Sequence, residues 1–343
     1  MRGSDFSRST LVLFAAVAAL AACGGSPSLI GAPGAAQPIV RQSLPLRPIT
    51  PASQTRAALP PNLLYVALGP PQHPYIGVFN AADDSPSPSP VYTIRPQKGA
   101  GYASLAVDQS NNNLYAVEQF FGGTKLQVFA SGETTARITC LFHNGITPSV
   151  TGKVLYLATL SDTVIEYALP LPAGNKCPKP LRTLTDRRAK LRGLGLYSVA
   201  ANPHGAVFVT WLGPTSKLDT FAAGSKTAHP YAPLGRSCSV VEIAADAKGN
   251  LVTAVGGNRE GNPCYIGVFR NGSQVPKRFD GSIRNIYTGF AIGFNDTELF
   301  AERYDPASID VYDYDARRGS VGRRLRSFPG SVHISNIAVF SRQ

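Results

Sequence analysis

The sequence contains few of the side chains from which catalytic and metal sites are usually built. Its 343 residues include five histidines and five cysteines, and only 16% of its residues are charged. No G-x-S-x-G elbow, H-E-x-x-H pair or Walker loop occurs, which argues against the common serine hydrolases, zinc proteases and nucleotide enzymes. The histidines show no metal-ligand spacing. No motif in the chain therefore specifies a reaction.

Acidic side chains are scarce relative to basic ones. The chain has 21 Asp and Glu against 33 Lys and Arg, which gives a formal net charge of +12 at pH 7. Such an excess indicates either an anionic partner, such as lipid head groups or a polysaccharide, or a basic surface spread over exposed loops. The composition alone is consistent with both.

The apolar run near the N terminus is too short to cross a membrane. Residues 11–19 form a segment of roughly ten residues behind Arg2 and Arg8, whereas a membrane-spanning helix needs about 20. This pattern is typical of a signal peptide. The run ends in Leu20-Ala21-Ala22-Cys23, which resembles the bacterial lipobox.

The lipobox resemblance implies that residues 1–22 are removed and that Cys23 becomes a lipidated N terminus, with an ordinary secretory leader as the alternative. Gly24 lacks the acidic signal that retains some lipoproteins at the inner membrane, which favours the outer membrane or cell surface. We therefore expect a protein of the bacterial cell envelope, held at the membrane by its lipid. Nucleic acid is not expected as a partner.

Residues 23–61 read as a tether. From residue 24 they are rich in Gly, Ala, Ser and Pro, contain no acidic residue and show no hydrophobic period, which predicts disorder. A random coil of this length reaches on the order of 35 Å. The folded domain is then residues 62–343.

The four remaining cysteines are even in number, which in an exported chain predicts two disulfides among three possible connectivities. We pair Cys238 with Cys264, because both lie at strand starts within one repeat, and Cys140 with Cys177. Free buried thiols are the alternative.

A short pattern, an aliphatic residue followed three positions later by an aromatic one, occurs six times. The six copies are Ile76-Gly-Val-Phe79, Leu126-Gln-Val-Phe129, Val164-Ile-Glu-Tyr167, Leu218-Asp-Thr-Phe221, Ile266-Gly-Val-Phe269 and Ile309-Asp-Val-Tyr312. They are spaced by 50, 38, 54, 48 and 43 residues, the size of a four-stranded propeller blade. A second strand precedes each copy, as in Leu114-Tyr-Ala-Val117 and Leu299-Phe-Ala-Glu302.

The innermost strands indicate how the ring closes. Five lie between the repeats, at residues 103–107, 146–150, 197–201, 241–245 and 289–293. A sixth, at 335–340, has no blade after it, while the first repeat has no inner strand before it. The sequence thus predicts an all-β fold, a six-bladed β-propeller of four-stranded blades whose C-terminal strand completes the first blade.

Several stretches resemble the NHL and YVTN-type propeller proteins. They include Ser104-Leu-Ala-Val-Asp108, Asn113-Leu-Tyr-Ala116 and Ile243-Ala-Ala-Asp246. The resemblance spans about residues 62–343 and implies the architecture. Proteins of this kind include binding scaffolds, lactonases and lyases, so the function has to be argued from the site.

Aligning the six inner strands places one residue of each at the same depth in the central channel. This predicted column is Ser104, Thr147, Ser198, Glu242, Gly289 and Asn336. Its oxygen atoms suit a sugar, a water cluster or a cation. Small polar residues are also expected there simply because six strands crowd around one axis.

Glu242 and Asn336 are the candidate metal-side residues. Six-bladed lactonases of the gluconolactonase type hold a divalent cation with Glu, Asp and Asn, and these two residues match in kind while the axial Asp is missing from the column. A lyase would need a histidine base, for which His333 is the candidate. We predict instead a monomeric binding module for an envelope protein or glycan, without a cofactor; a metal-dependent hydrolase or lyase that uses a divalent cation is the alternative.

Overall fold

The structure, a computed structural model, describes residues 59–68, 74–85, 88–142, 145–187, 195–211, 216–235, 242–256, 264–279, 287–293, 296–303, 307–329 and 334–341. The predicted signal peptide, the lipobox-like motif and the predicted tether up to residue 58 lie outside these residues. Within the described part of the chain, no helix is both long enough and apolar enough to cross a membrane.

Six four-stranded sheets make up the described residues. The strands of the first half of the chain are β1 (Asn62–Leu68), β2 (Tyr75–Asn80), β3 (Tyr92–Ile94), β4 (Gly101–Asp108), β5 (Asn113–Phe120), β6 (Gly123–Phe129), β7 (Ile138–Phe142), β8 (Gly145–Thr151), β9 (Val154–Thr159), β10 (Thr163–Ala168) and β11 (Arg182–Thr185).

The strands of the second half are β12 (Leu196–Ala201), β13 (Val207–Trp211), β14 (Ser216–Phe221), β15 (Ala228–Gly235), β16 (Ile243–Ala245), β17 (Leu251–Gly256), β18 (Cys264–Phe269), β19 (Lys277–Phe279), β20 (Tyr287–Ile292), β21 (Glu298–Arg303), β22 (Ser308–Asp315), β23 (Ser320–Pro329) and β24 (Ile334–Ser341).

Each sheet is one blade, and its strands pair antiparallel from the centre outwards. Blade 1 has the order β24-β1-β2-β3, and blades 2 to 6 follow in chain order from β4 to β23. Each inner strand contacts the next one in the series β24, β4, β8, β12, β16 and β20, and β20 contacts β24 again. The described residues therefore form a closed six-bladed β-propeller, which confirms the predicted fold class.

The C-terminal strand closes the ring, as predicted. β24 pairs with β1 along its length, with Asn62 opposite Ser341 and Ala67 opposite Asn336. This ladder supplies the inner strand that blade 1 lacks in chain order. The N-terminal and C-terminal strands of the domain are thus neighbours in one sheet.

The repeated pattern has a simple packing reason. Residues three apart in a strand point to opposite faces of the sheet. Leu126 therefore packs in the cluster between blades 2 and 3, while Phe129 packs in the cluster between blades 1 and 2. Leu218 and Phe221 divide in the same way between the two neighbours of blade 4. One aliphatic and one aromatic side chain thus join each blade to both of its neighbours.

The turns after the inner strands use side-chain oxygens as backbone acceptors. Asn202 Oδ1 accepts from the backbone N–H groups of His204 and Ala206, both at 3.0 Å. Asp246 Oδ1 accepts from those of Lys248 (2.9 Å) and Asn250 (2.7 Å). These Asx turns hold the hairpins that lead into β13 and β17.

The disulfide between Cys140 and Cys177 is present, with the Cα atoms 4.9 Å apart, which confirms that pairing. It joins β7 of blade 2 to the connection after β10 of blade 3. Gly174 in this connection forms a parallel bridge with Ile138, and its carbonyl accepts from Thr139 N at 3.1 Å. The bridge and the disulfide together cover an outer edge strand. In the other predicted pair, Cys238 and the side chain of Cys264 lie outside the described residues.

Candidate functional site

The inner strands share a backbone irregularity where the predicted column begins. We call the edge of the ring at which inner strands begin the upper edge, and the edge at which they end the lower edge. In five inner strands the register shifts just before the column residue, so that one residue is skipped in the pairing. The residues that follow these shifts are Ser104, Thr147, Ser198, Gly289 and Asn336. Such bulges re-aim the next side chain. The sixth column residue, Glu242, directly precedes β16.

The column faces a second set of equivalent positions on the neighbouring strand of each blade. Ser104 lies opposite Val117, and Gly289 lies opposite Glu302. In the other blades this position holds a small or uncharged residue, namely Ala67, Ala158, Thr210 and Ala254. Blade 6 alone therefore combines a glycine in the column with a carboxylate beside it.

Three column side chains join neighbouring inner strands. The hydrogen bonds are Thr147 Oγ1 to Tyr197 O (2.6 Å), Ile243 N to Ser198 Oγ (3.2 Å) and Leu105 N to Asn336 Oδ1 (2.9 Å). Each connects the inner strand of one blade to that of the next. The side chains predicted to bind a ligand thus already satisfy backbone groups between blades. The hydroxyl of Ser104 is buried and has no hydrogen-bond partner among the described residues.

Gly289 allows two carboxylates to lie side by side. A methyl group at this position would be 2.6 Å from Glu302 Oε2 and 3.0 Å from Glu242 Oε2. Both carboxylates are buried, with exposures of 2% for Glu302 and 7% for Glu242. Because Gly289 has no side chain, the Glu302 side chain reaches from β21, the second strand of blade 6, into the space beside it.

Asn336 connects the carboxylate pair to the inner strand of blade 2. Its Nδ2 donates to Glu242 Oε1, while its Oδ1 accepts from the backbone N–H of Leu105. Thr253 Oγ1 donates to the backbone carbonyl of Glu242 at 3.1 Å. One side chain of β24 thus contacts blade 2 and blade 5 at once.

Burial sets the ionisation of Glu242. Desolvation raises its pKa well above the usual value of 4.5, and the nearby charge of Glu302 raises it further, while the hydrogen bond from Asn336 acts in the opposite direction. Burial also raises the pKa of Tyr197, and both carboxylates add to that effect. The phenol of Tyr197 therefore stays neutral beside the pair. Two adjacent buried carboxylates can be stabilised by a shared proton or by a bound cation.

The channel itself is narrow. Its cavity volume is about 150 Å³, and its walls come from all six inner strands, including Thr147, Ser198, Glu242 and Asn336. Pockets for drug-sized ligands are usually about 300–1,000 Å³. The channel thus has room for an ion or a few waters, whose share of liquid volume is about 30 Å³ each.

No group of three or more His, Cys, Asp or Glu side chains is arranged to hold a metal ion within the described ranges. His204 lies in the turn after Asn202, away from the channel. His333, the candidate base of a lyase, lies outside the described residues. The carboxylate pair is therefore the main chemical feature of the described channel.

The predicted column omitted Glu302, although the sequence carried a signal for it. The fourth residue of the second-strand motif is a carboxylate in blade 6 and an uncharged residue in the other five blades. The fourth residues of the six second-strand motifs form a column of their own, in which Glu302 belongs to the same blade as Gly289.

Comparisons with known proteins identify the fold and no family. No family model matches the chain, and no curated protein matches it. Solved structures do match. A chain from a nidogen/laminin complex is 11% identical, with a TM-score of 0.55 over 81% of this chain and 98% of that one. A chain from a mitotic checkpoint complex is 14% identical, with a TM-score of 0.52 over 80% and 79%.

A third similar structure is a putative 6-phosphogluconolactonase from Bacteroides uniformis. It is 12% identical and has a TM-score of 0.50 over 80% of this chain and 85% of that one. At such identities the likeness extends to the fold alone. The class of protein is thus a six-bladed β-propeller.

Replacing Gly289 by alanine should destabilise the domain. The added methyl group would meet both carboxylates at 2.6 and 3.0 Å, and we expect a loss of about 1–3 kcal/mol in the free energy of unfolding. Gly101→Ala is the matched control, because a methyl group there would meet nothing closer than 3.6 Å. Chemical denaturation measures both. Equal stabilities of the two variants would contradict the proposed geometry.

The carboxylate pair should also make stability depend on pH. The pKa of Glu242 is raised in the folded state. The stabilising contribution of its protonated form to the free energy of unfolding is therefore fully present below about pH 4.5 and is lost as pH rises through the raised pKa. Glu242→Gln cannot titrate, so its free energy of unfolding should fall less between about pH 4.5 and 8. Glu302→Gln should also flatten the curve, because Glu302 raises that pKa. Parallel curves for all three proteins would refute this.

Proposed function

We propose that this protein is an exported lipoprotein, anchored through Cys23, whose β-propeller is a monomeric binding module for an envelope protein or glycan. The narrow channel, with three of its polar side chains engaged between strands, is the observation that carries this proposal. Thr147, Ser198 and Asn336 use their polar groups between strands, and the cavity is about 150 Å³. A partner would therefore meet the outer surfaces of the ring rather than enter it.

The similar structures are consistent with this interpretation. Two of them come from a nidogen/laminin complex and a mitotic checkpoint complex, which are assemblies of proteins. The lipobox-like Leu20-Ala21-Ala22-Cys23 supports the anchor. A lipidated cysteine would keep the domain at the envelope, within reach of partners there.

Replacing Cys23 by serine should release the protein from the membrane. The acyl chains need the thiol, so Cys23→Ser should incorporate no labelled palmitate and should leave the membrane fraction after a wash in about 0.5 M salt, which screens surface charge contacts. Ser28→Ala is the control and should remain membrane-bound. Palmitate incorporation into Cys23→Ser equal to that into the parent would exclude the anchor.

A metal-dependent hydrolase is the second candidate, and the observation that favours it is the carboxylate beside Glu242. One structural neighbour is a putative 6-phosphogluconolactonase. The donor set argues against this candidate. A hard cation usually takes at least six oxygen ligands, but Asn336 directs its N–H at Glu242 and gives its oxygen to Leu105. Glu242 and Glu302 alone do not complete such a site.

Metal content distinguishes the two candidates. We expect the purified unlipidated chain to retain no stoichiometric divalent cation after dialysis, as measured by elemental analysis, because two carboxylates give too few ligands. One cation per chain, lost in both Glu242→Gln and Glu302→Gln but kept in Asp84→Asn, would support the hydrolase and contradict the binding module as the sole function. Asp84 is a suitable control because it is exposed and belongs to blade 1.

A further inference from the structure

We propose that blade 2 docks on an anionic lipid surface, with the tip of its β5–β6 hairpin entering the head-group region. The membrane-contacting set consists of Phe120, Phe121 and Leu141 as apolar residues and Arg95 and Lys98 as cations. This lipid contact is separate from partner binding in the proposed function, because it uses only one sector of the upper edge and leaves the other surfaces of the ring to the partner.

The hairpin presents apolar side chains that the fold leaves uncovered. Phe121 has a relative exposure of 102%, Leu141 of 67% and Phe120 of 37%. Phe121 and Gly122 form a two-residue turn, in which Gly122 has a φ of +99°. A tight turn of this kind holds Phe121 at the outermost point of the blade. Exposed apolar clusters of this kind mark contact sites with proteins or membranes.

A buried ion pair fixes the base of this hairpin. Lys125 Nζ lies 2.9 Å from Glu118 Oε2, and the two side chains are 6% and 0% exposed. The ammonium of Lys125 is also 5.9 Å from the centre of the Phe120 ring. Glu118 and Lys125 are cross-strand partners directly below the turn. The exposed rings therefore stand on a supported strand pair.

The same carboxylate positions the two cations. Gln97 N donates to Glu118 Oε1 at 2.9 Å, which fastens the connection between β3 and β4 to the hairpin. Arg95 and Lys98 flank Gln97 in this connection, and both are exposed. Cationic and aromatic side chains thus share one part of the upper edge.

Charge complementarity selects the occupant. Among the described residues at the upper edge of blades 2 and 3, the exposed charged side chains are Arg95, Lys98 and Arg187. The carboxylates there are buried in Glu118 and Asp186 and half-buried in Asp162. The exposed Asp84 follows β2, at the lower edge of blade 1. An apolar tip with exposed cations on the same edge matches the acyl boundary and the phosphates of an anionic bilayer.

An anchor at Cys23 is compatible with this orientation. The described chain enters the domain at the lower edge, where Leu59 contacts the position of Gly132. The segment from Cys23 to that point can span on the order of 100 Å when extended. It is therefore long enough for the upper edge of blade 2 to face the membrane.

Vesicle co-sedimentation tests the proposal with the full exported chain carrying Cys23→Ser, which has no lipid. The vesicles contain phosphatidylcholine with about 30% phosphatidylglycerol, or phosphatidylcholine alone. We expect binding to the anionic vesicles that falls with added salt. Phe121→Ser should weaken it about tenfold or more, and Lys98→Gln about fivefold.

Two matched variants serve as controls. Val275→Ser removes an apolar side chain that is 77% exposed in the β18–β19 turn at the lower edge, and Lys226→Gln removes an exposed cation before β15. Both should bind vesicles as the parent does. A parent that ignores anionic vesicles, or equal binding by Phe121→Ser and Val275→Ser, would overturn the proposal. The measurement needs no anchor, so its failure leaves the lipoprotein proposal standing, and the reverse also holds.

Discussion

The pairing of β24 with β1 is the interaction on which the rest of the structure depends. In chain order blade 1 has no inner strand, and the ladder that places Asn62 opposite Ser341 supplies it. The backbone N–H and C=O groups of β1 that would otherwise be unpaired at the centre of the ring are thereby hydrogen-bonded to β24. Asn336 belongs to this strand and contacts both Leu105 and Glu242. The organisation of the channel is thus a consequence of closure.

The channel also explains why polar side chains occur in the middle of an otherwise apolar ring. Buried hydroxyl and amide groups are unfavourable unless they are hydrogen-bonded, and those of Thr147, Ser198 and Asn336 bond to backbone groups of neighbouring strands. The carboxylates of Glu242 and Glu302 are different, because two buried acids repel each other when both are charged. Their proximity depends on Gly289, since any side chain there would fill the shared space.

The central channel and the upper edge of blade 2 differ in how their side chains are used. The polar side chains of the channel are engaged in contacts between strands. Blade 2 instead presents Phe121 to solvent on a strand pair held by Lys125 and Glu118. A buried ion pair is weak evidence for stability on its own. Here it holds a hairpin whose outermost ring, that of Phe121, is fully exposed. Such an arrangement is what a contact surface requires.

The sequence by itself determined the blades, their number and the closing strand, while the structure selected the Cys140–Cys177 disulfide from the three possible connectivities. These follow from local patterns, since the positions of Leu126 and Phe129 three residues apart already assign the two faces of a strand. Tertiary structure alone decided that Glu302 meets Glu242 and that Phe121 stands uncovered. The reason is that Glu242 comes from blade 5 while Gly289 and Glu302 come from blade 6, and no sequence period reports the distance between residues of different blades.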